Sequence, residues 1–444
     1  MAATETTATI PGAQVAAPPG AGGCPFSGAT AMAPIEPVPV QPGFDFTDPD
    51  VIESGIPLRE FAGLRRTAPI FWNPQTVENS SFDDGGFWVV SRHEDVRAIS
   101  AARTGWSSEE NTAIVKFDGT MVGPDERHLQ REMLLNMDAP RHTQLRGIIG
   151  RGCFTPRAIA RIESALDERA RRIVSEAVAG GAGDFVTDVS CELPLQAIAD
   201  LVGFPQEDRL RIFDWSNQMV AYDDPDYEID PAVAAAEIIG YAMELGEERK
   251  ANPVDDIATR LMTADLDGEQ LSTEEFAYFC LILAVAGNET TRNAISHGMQ
   301  AFFENPDQWE RFKRERPATA ADEIVRWASP IVIFQRTATE DHEFHGTRVK
   351  AGQRVGLCYS SANFDETVFA EPHRFDITRD PNPHVGFGGG GAHYCIGANL
   401  ARMEINLMFN AIADLAPDIE PLGNPARLRS AWINGIKRLP VRYA

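Results

Sequence analysis

The stretch FGGGGAHYCIGANLARMEI, residues 387–405, holds one thiol, Cys395, between a glycine-rich loop and a helical pattern. The start of a helix carries partial positive charge, and loop N–H groups can point at a sulfur, so both favour the thiolate. The glycines at 388–391 put no Cβ atom in the way of a flat, bulky partner. A thiolate held in this way is a good axial ligand for iron, to which it donates electron density. The pattern therefore favours a cysteine that binds a ligand.

Two other interpretations of this stretch compete with a metal ligand. A lone cysteine is commonly a small, buried apolar residue. Glycine-rich loops before helices also bind phosphate. The phosphate interpretation is weak, because neither Lys-Ser nor Lys-Thr follows the glycines. The residues before them, DPNPH at 380–384, indicate irregular coil rather than a strand.

The composition argues against several classes of protein. Among 444 residues, 65 acidic and 40 basic side chains give a net charge of −25, which disfavours nucleic acid as a partner. The six cysteines are scattered, as in a reducing compartment rather than in a disulfide or zinc module. No apolar run reaches the roughly 20 residues that span a membrane. No Lys or Arg precedes Arg59, so no signal peptide is expected. We expect a soluble, cytoplasmic protein.

The chain divides into a tail and one domain. Residues 1–41 are rich in Ala, Pro and Gly, which predicts a disordered tail. No linker or repeat interrupts residues 42–444, so we expect a single, mostly α-helical domain with a minor β region. Apolar periodicity predicts helices at 157–179, 194–201, 232–251, 273–303, 307–315, 319–329 and 395–415. Short β-type runs predict strands at 70–72, 87–90, 348–349 and 354–359.

An acid and an alcohol interrupt the apolar face of the predicted helix 273–303. The helix opens with a capping-box pattern, STEE at 272–275, and ends before Pro306. Its middle reads AGNETT, at 286–291, whose small residues permit a ligand to approach and the hydrogen-bond ladder to open. Glu289 and Thr290 could then relay protons to dioxygen. Seen alone, these residues are as typical of ordinary helix packing and a solvated face as they are of a functional site.

A second charged pair points to support for the cysteine loop. Glu323 and Arg326 lie one turn apart in DEIVRW, at 322–327, and share a helical face. Their apolar neighbours indicate that the pair is at least partly buried, and a buried pair needs further hydrogen bonds. Arg374, in EPHRFD, is the candidate third member. The predicted role is structural.

Four further side chains form a candidate anion-binding set. His142 and Arg146 are four residues apart, on one helical face, in APRHTQLR. Arg336 in FQRTA and His393, two residues before Cys395, add more donors. Cationic donors that converge on one place suit a dianionic ligand such as the two propionates of haem. Separately, each is more typical of an ordinary surface or core residue.

The combination is more specific than any of its parts. A cysteine after a glycine loop, an acid–alcohol pair in a long helix, a Glu-x-x-Arg pair and these donors occur together in this chain. Together they resemble the cytochrome P-450 superfamily of haem-thiolate monooxygenases, over residues 42–444. The resemblance implies a helical prism with a minor β region, and haem b with Cys395 as the axial thiolate.

One departure from the superfamily pattern narrows the likeness. Phe387 stands eight residues before Cys395 instead of seven, because the glycine run is one residue longer. The longer loop is similar to that of actinobacterial hydroxylases of sterol side chains and methyl-branched lipids. Segments such as LNMDAPRHTQLR and LRSAWINGIK most resemble the steroid C26-monooxygenases (cholest-4-en-3-one 26-monooxygenases). By that likeness, the residues that line the substrate channel are Val285, Ala286, Phe334 and Trp432.

The resemblance also implies a reaction and its partners. One oxygen atom from O2 enters a terminal methyl C–H bond of a sterol side chain, and repeated turnover could continue to the aldehyde and acid. Electrons are expected from NAD(P)H through a ferredoxin reductase and a ferredoxin. Local charge alone suggests the hypothesis that the ferredoxin docks on a basic cluster that includes Arg141, Arg146, Arg151 and Arg402.

Three other functions stay open at this point. They are an omega-hydroxylase of methyl-branched lipids, a peroxide-driven haem-thiolate hydroxylase and a non-catalytic haem sensor. The acid–alcohol pair disfavours the peroxide-driven enzyme, because peroxide removes the need to deliver protons to dioxygen.

Overall fold

The computed structural model describes residues 35–117, 130–227, 230–254, 256–263 and 271–444, with the side chains at 151–153 and 257 left out. Most of the predicted tail, residues 1–34, lies outside the described residues. The rest of it is bound to the domain: the Val38 N–H donates to the carbonyl of Arg59 (3.1 Å), and Arg59 Nε donates to the carbonyl of Glu36 (3.2 Å). The folded chain therefore begins before the predicted boundary at residue 42.

Helices make up most of the described chain. In order they are α1 (Pro49–Ser54), α2 (Leu58–Thr67), α3 (Val77–Ser80), α4 (His93–Ala101), α5 (Arg141–Cys153), α6 (Pro156–Gly180), α7 (Glu192–Val202), α8 (Arg209–Val220), α9 (Pro231–Ala251), α10 (Ile257–Thr263), α11 (Thr273–Glu304), α12 (Pro306–Glu315), α13 (Ala320–Ala328), α14 (Tyr359–Ala362) and α15 (Ala398–Leu415). Short 3-10 helices lie at Gln130–Glu132, Leu134–Asn136 and Gln206–Asp208, and a short π-helix lies at Val186–Ser190.

The strands of the described residues are short and form four sheets. They are β1 (Ile70–Pro74), β2 (Gly86–Val90), β3 (Trp106–Ser107), β4 (Ala182–Asp184), β5 (Ile333–Ala338), β6 (His342–Phe344), β7 (Thr347–Val349), β8 (Arg354–Cys358), β9 (Glu420–Pro421), β10 (Ala426–Arg427), β11 (Ile436–Arg438) and β12 (Pro440–Arg442). The largest sheet has the order β1–β2–β8–β5–β3, and only β2 and β8 run parallel in it. Phe334 and Arg336 lie two residues apart in β5 and therefore point to the same face.

The long helix α11 is the axis of the core. Its predicted capping box is present: the Ser272 hydroxyl accepts the N–H of Glu275 (3.0 Å), and the Glu275 carboxylate accepts the N–H of Ser272 (2.9 Å). Most of its side chains are buried against α7, α8, α9, α13 and α15. The helix ends at Glu304, just before Pro306 begins α12. This packing fixes the middle of α11, where the predicted acid and alcohol lie.

The predicted fold class, mostly α with a minor β region, is confirmed. Each predicted helix is present with ends within three residues of the prediction, and the four predicted strands are present too. The elements that the sequence patterns missed include α1, α2, α4, α8 and α10 and the interior strand β5. Among the described residues, no helix is both long enough and apolar enough to cross a membrane.

Candidate haem-binding and oxygen-activation site

Left-handed glycines and one hydrogen bond shape the loop before Cys395. Gly388 and Gly390 have φ angles of 94° and 100°, a conformation that strongly favours glycine. The Cys395 N–H donates to the carbonyl of Phe387 (2.9 Å), which closes the loop. Helix α15 begins only at Ala398, three residues later than predicted. Cys395 therefore lies in the turn before the helix.

The other two positions of the glycine run pack against α4. A Cβ atom on Gly391 would lie 2.1 Å from the carbonyl oxygen of Ser100, and one on Gly389 would lie 3.0 Å from Cα of Arg97. Any side chain there would push the loop away from α4. The prediction that the glycines make room for a flat ligand is therefore wrong for these two, which make room for the protein itself.

Cys395 has an exposed side chain, whereas Cys191, Cys280 and Cys358 are buried. Burial of its surroundings raises the pKa of the Cys395 thiol, while the N–H of Gly397 and the charges of Arg146 and Arg402 lower it. The expected stabilisation of the thiolate is present, but burial outweighs it. A bound cation would reverse the balance, because a metal ion deprotonates the thiol that ligates it.

The four predicted donors converge beside the Cys395 loop. The rings of His142, on α5, and His393 lie 4.2 Å apart, and His393 Nε2 is 3.2 Å from the hydroxyl of Ser108. Arg146, one turn after His142, donates to a carbonyl of the loop. Arg336, on β5, is buried and close enough to both imidazoles to lower their pKa values.

The charge of this cluster comes from its arginines alone. Burial, together with the neighbouring arginines, lowers the pKa of His142 to about 4 and that of His393 to about 2. Both imidazoles are therefore neutral at pH 7, which corrects the expectation of four cations. Within the described chain, Arg146 and Arg336 donate to carbonyls and form no ion pair with a carboxylate. Two inward-turned guanidinium groups that form no salt bridge within the described chain suit a dianion.

The predicted alcohol, Thr290, lies on a continuous helix. Its Oγ1 donates to the carbonyl of Ala286 (2.6 Å), one turn earlier. Ala286 is exposed in the middle of a helix that is otherwise largely buried. The expected opening of the hydrogen-bond ladder is absent, because α11 runs unbroken from Thr273 to Glu304. The hydroxyl is thus held by the helix itself.

The predicted acid, Glu289, is buried beside an arginine that the sequence analysis missed. Arg292, three residues on, donates to Glu289 Oε2 and also to Asn217 Oδ1 (2.6 Å) on α8. Glu289 Oε1 has no hydrogen-bond partner among the described residues. Burial raises the pKa of Glu289, although Arg292 lowers it. The i, i+3 spacing that identified Glu323 and Arg326 could have identified this pair as well.

The Glu323–Arg326 pair on α13 is fully buried, and the sequence analysis predicted that it is at least partly buried. Two hydrogen bonds of 2.8 Å join Nε and Nη2 of Arg326 to the two carboxylate oxygens. Arg326 Nη1 donates to the carbonyls of Asn363 and Pro372, both at 2.9 Å. The pair therefore anchors the segment that leads into the Cys395 loop.

The third charged member of this network is Arg379 and not Arg374. Arg379 Nε lies 3.0 Å from Glu323 Oε2. The guanidinium of Arg374 pairs instead with Glu371 at the surface (3.1 Å), and only the Arg374 carbonyl reaches Arg326 (3.3 Å). The prediction for Arg374 is wrong because sequence proximity does not say which side chain turns inward.

The predicted basic cluster is not a patch of free positive charge. Arg141 pairs with two carboxylates, at 2.7 and 3.4 Å, and Arg402 pairs with one, at 2.7 Å. Arg146 is turned toward the Cys395 loop. The side chain of Arg151 lies outside the described residues. Salt bridges neutralise Arg141 and Arg402, and the Arg146 side chain is directed at the Cys395 loop, so most of the charge that was expected to attract a ferredoxin is not available for docking.

Three of the residues predicted to line the substrate channel belong to one apolar cluster. The rings of Phe334 and Trp432 lie 5.9 Å apart, and Val285 of α11 packs against the same cluster. The indole N–H of Trp432 donates to the hydroxyl of Tyr222 (3.0 Å). Ala286, the fourth, is the exposed residue of α11 described above. A helix, a strand and the segment around Trp432 thus meet at one apolar surface.

Fold and site together define a haem-thiolate class of protein, and comparison with known proteins gives its family. The family model for cytochrome P450 matches residues 318–413. The chain is 61% identical to a steroid C26-monooxygenase of Rhodococcus jostii (strain RHA1), over 90% of this chain and 85% of the relative. It is 45% identical to a methyl-branched lipid omega-hydroxylase of Mycobacterium tuberculosis (strain H37Rv), over 86% and 90%. A Mycobacterium marinum cytochrome P450 in complex with pseudoionone superimposes with a TM-score of 0.80 at 37% identity, over 88% and 94%.

The chain belongs to the cytochrome P450 family and is a monooxygenase of that family. The residues present fit the haem of this family. Cys395 offers an exposed sulfur, and Arg146 and Arg336 offer two cations without carboxylate partners in the described chain. A macrocycle with a metal and two propionates needs both.

Proposed function

We propose that this protein inserts one oxygen atom from O2 into a terminal methyl C–H bond of a sterol side chain. The observation that carries the proposal is the 61% identity, along 90% of the chain, to a relative named steroid C26-monooxygenase. The relative named for methyl-branched lipids is more distant, at 45% identity. A methyl-branched lipid is therefore the second candidate substrate.

The roles proposed for the haem-binding residues follow from their chemistry. Cys395 is the axial ligand, and Arg146 and Arg336 pair with the propionates, beside the neutral imidazoles of His142 and His393. A thiolate-ligated haem, when bound, supplies the redox chemistry that activates dioxygen, with electrons ultimately from NAD(P)H. The protein holds the sulfur in a loop that the Cys395 N–H closes on the carbonyl of Phe387, and Arg146 and Arg336 provide the positive charges for the propionates.

The apolar cluster supports a rigid, apolar substrate. Phe334 and Trp432 present ring faces inclined by 35°, and the indole N–H is already taken by Tyr222. The lining contributed by these rings and Val285 therefore offers no free hydrogen-bond donor. A sterol suits such a surface, because its fused rings lose little conformational freedom on binding.

We expect cholest-4-en-3-one to shift the Soret band of the ferric protein to the high-spin position, and phytanic acid to do so more weakly. Trp432→Leu should weaken sterol binding about tenfold, equivalent to ~1.4 kcal/mol, because a flat contact is lost. Val233→Ala, an exposed change on α9, is the matched control and should bind normally. A high-spin shift with phytanic acid and none with the sterol would replace the sterol by the branched lipid as substrate.

Glu289 and Thr290 are the residues proposed to move protons. The Thr290 hydroxyl donates a hydrogen bond to the carbonyl of Ala286. Glu289 can hold a proton at Oε1, the oxygen that has no hydrogen-bond partner in the described chain. Arg292 holds the other oxygen and keeps the carboxyl group in place. The carboxyl group of Glu289 thus has one oxygen held by Arg292 and one oxygen that is free to bind a proton. A proton relay requires such a free oxygen.

Glu289→Gln and Thr290→Val should each lower ferredoxin-driven hydroxylation by on the order of 10²-fold, the usual contribution of positioned proton transfer. Hydroxylation driven by hydrogen peroxide should change little, because peroxide brings its own protons. Thr291→Val is the matched control, since this neighbouring threonine is buried on another face of α11. Equal losses with both oxidants would mean that the two residues act on structure and not on proton delivery.

A ferredoxin is the electron donor we propose. A cleft of about 420 Å³ opens beside the Cys395 loop, between its residues Gly391 and Ala392 and the α5 residues His142, Arg146 and Gly150. Small side chains there bring the surface close to the loop that carries the sulfur. This shape supports docking at the cleft better than the charge cluster does, because most of that charge is paired.

A further inference from the structure

Asp322, on α13, joins the two ends of the Cys395 loop. Its Oδ1 lies 2.9 Å from Nε2 of His384 and 2.7 Å from Nε of Arg402. His384 Nδ1 accepts a hydrogen bond from the N–H of Gly386 (3.1 Å). The ring hydrogen is therefore on Nε2, which donates a hydrogen bond to Asp322. One carboxylate oxygen therefore binds an imidazole N–H before the glycine run and a guanidinium after the cysteine.

Arg402 is held close to the cysteine by a further contact, with the ring of Phe387. Its guanidinium carbon lies 4.4 Å from the ring centre of Phe387, the residue whose carbonyl accepts the Cys395 N–H. A planar guanidinium that is stacked on a ring and bonded on its edge has little freedom. The cation is fixed in the wall of the loop.

The charge on Arg402 acts on the sulfur. Burial raises the pKa of Cys395, and the charge of Arg402 is one of the influences that lower it. Burial also tends to raise the pKa of Asp322, but His384 and Arg402 hold it below its ordinary value, so this carboxylate is ionised at neutral pH. Its negative charge offsets part of the field of Arg402.

We propose that Arg402 is a positioning residue that sets the electrostatic potential at the Cys395 sulfur, and that Asp322 sets how much of the Arg402 charge the sulfur experiences. The inference rests on the haem-thiolate function proposed above. It gives Arg402 a role in tuning the cofactor in place of the predicted role in docking a ferredoxin. Groups just outside the ligand shell commonly tune a metal in this way.

The inference predicts shifts of opposite sign in one measured quantity. One-electron reduction of the ferric haem adds negative charge at the thiolate-bound metal, and a nearby cation favours that step. Arg402→Leu should therefore lower the midpoint potential. Asp322→Asn should raise it, because the arginine then acts without its counter-charge. A purely structural role would give shifts of the same sign, since both changes remove the same contact.

The test is a spectroelectrochemical titration of the haem-loaded protein and its variants. Arg402→Lys keeps the charge and should keep the potential close to that of the unchanged protein. Asp414→Asn is the matched control for Asp322→Asn: Asp414 is shared by two cations, Arg171 and Arg316, and lies on α15, the helix that carries Arg402. It is about 18 Å further along the axis, at about 1.5 Å per residue, beyond the screening length of about 8 Å. The haem midpoint potential of Asp414→Asn should therefore equal that of the unchanged protein.

The possible results separate the inference from the function on which it rests. Opposite shifts for Arg402→Leu and Asp322→Asn support it. Shifts of the same sign, or no rise for Asp322→Asn, overturn it. If Arg402→Leu does not bind haem, the comparison of Asp322→Asn with Arg402→Lys and Asp414→Asn still decides. An unchanged protein that shows no thiolate-type spectrum would instead overturn the proposed function.

Discussion

Cys395→Ser is expected to abolish hydroxylation and to remove the thiolate-type band from the spectrum of the reduced, carbon monoxide-bound protein. A serine oxygen is a poor donor of electron density to iron, and that donation favours cleavage of the O–O bond. The haem itself should still bind, because Arg146 and Arg336 remain as partners for its propionates. The measurement is the reduced carbon monoxide difference spectrum together with product formation from the sterol.

The matched control for this change is Cys191→Ser. Cys191 is buried, and its thiol donates to the carbonyl of Thr187 (3.3 Å), a bond that a serine hydroxyl can also make. This variant should keep the thiolate-type band and the activity. An unchanged band in Cys395→Ser would show that another group ligates the iron, and it would remove the basis for every role assigned around the loop.

Local patterns in the sequence predicted the parts of this site that depend on neighbours along one element. The spacing of Glu323 and Arg326 placed the two side chains on one face of a helix, where they form two hydrogen bonds. The capping box of α11 fixed its start at the predicted residue. Periodicity and caps act over a few residues, so their outcome is readable without the rest of the chain.

Contacts between distant segments could not be read in the same way. Strand β5 was missed because Gln335, Arg336 and Thr337 are all buried and polar, so the alternation that marks a strand is absent. The contact of Gly391 with the end of α4 depends on how two segments about 290 residues apart meet, which no local pattern encodes. The pKa values of the two histidines depend on such burial as well.

Arg326→Met is expected to destabilise the protein by roughly 3–5 kcal/mol, since it leaves a buried carboxylate without its main partner. Glu323 keeps Arg379 and the amide of Asn382, but it loses both bonds from Arg326. The carbonyls of Asn363 and Pro372 lose their donor at the same time. The measurement is the free energy of unfolding in urea, followed by circular dichroism.

Arg374→Met is the matched control, because this arginine makes an exposed pair with Glu371 and should cost less than about 1 kcal/mol. The double variant Glu323→Gln with Arg326→Met should lose less stability than the two single losses added together, since neither partner is then left as an unpaired buried charge. If the losses in the free energy of unfolding were additive, or equal for Arg326→Met and Arg374→Met, the stabilising role assigned to the buried Glu323–Arg326 pair would be wrong. Such losses would mean that the segment before the Cys395 loop is held by apolar packing, with the buried ions contributing little.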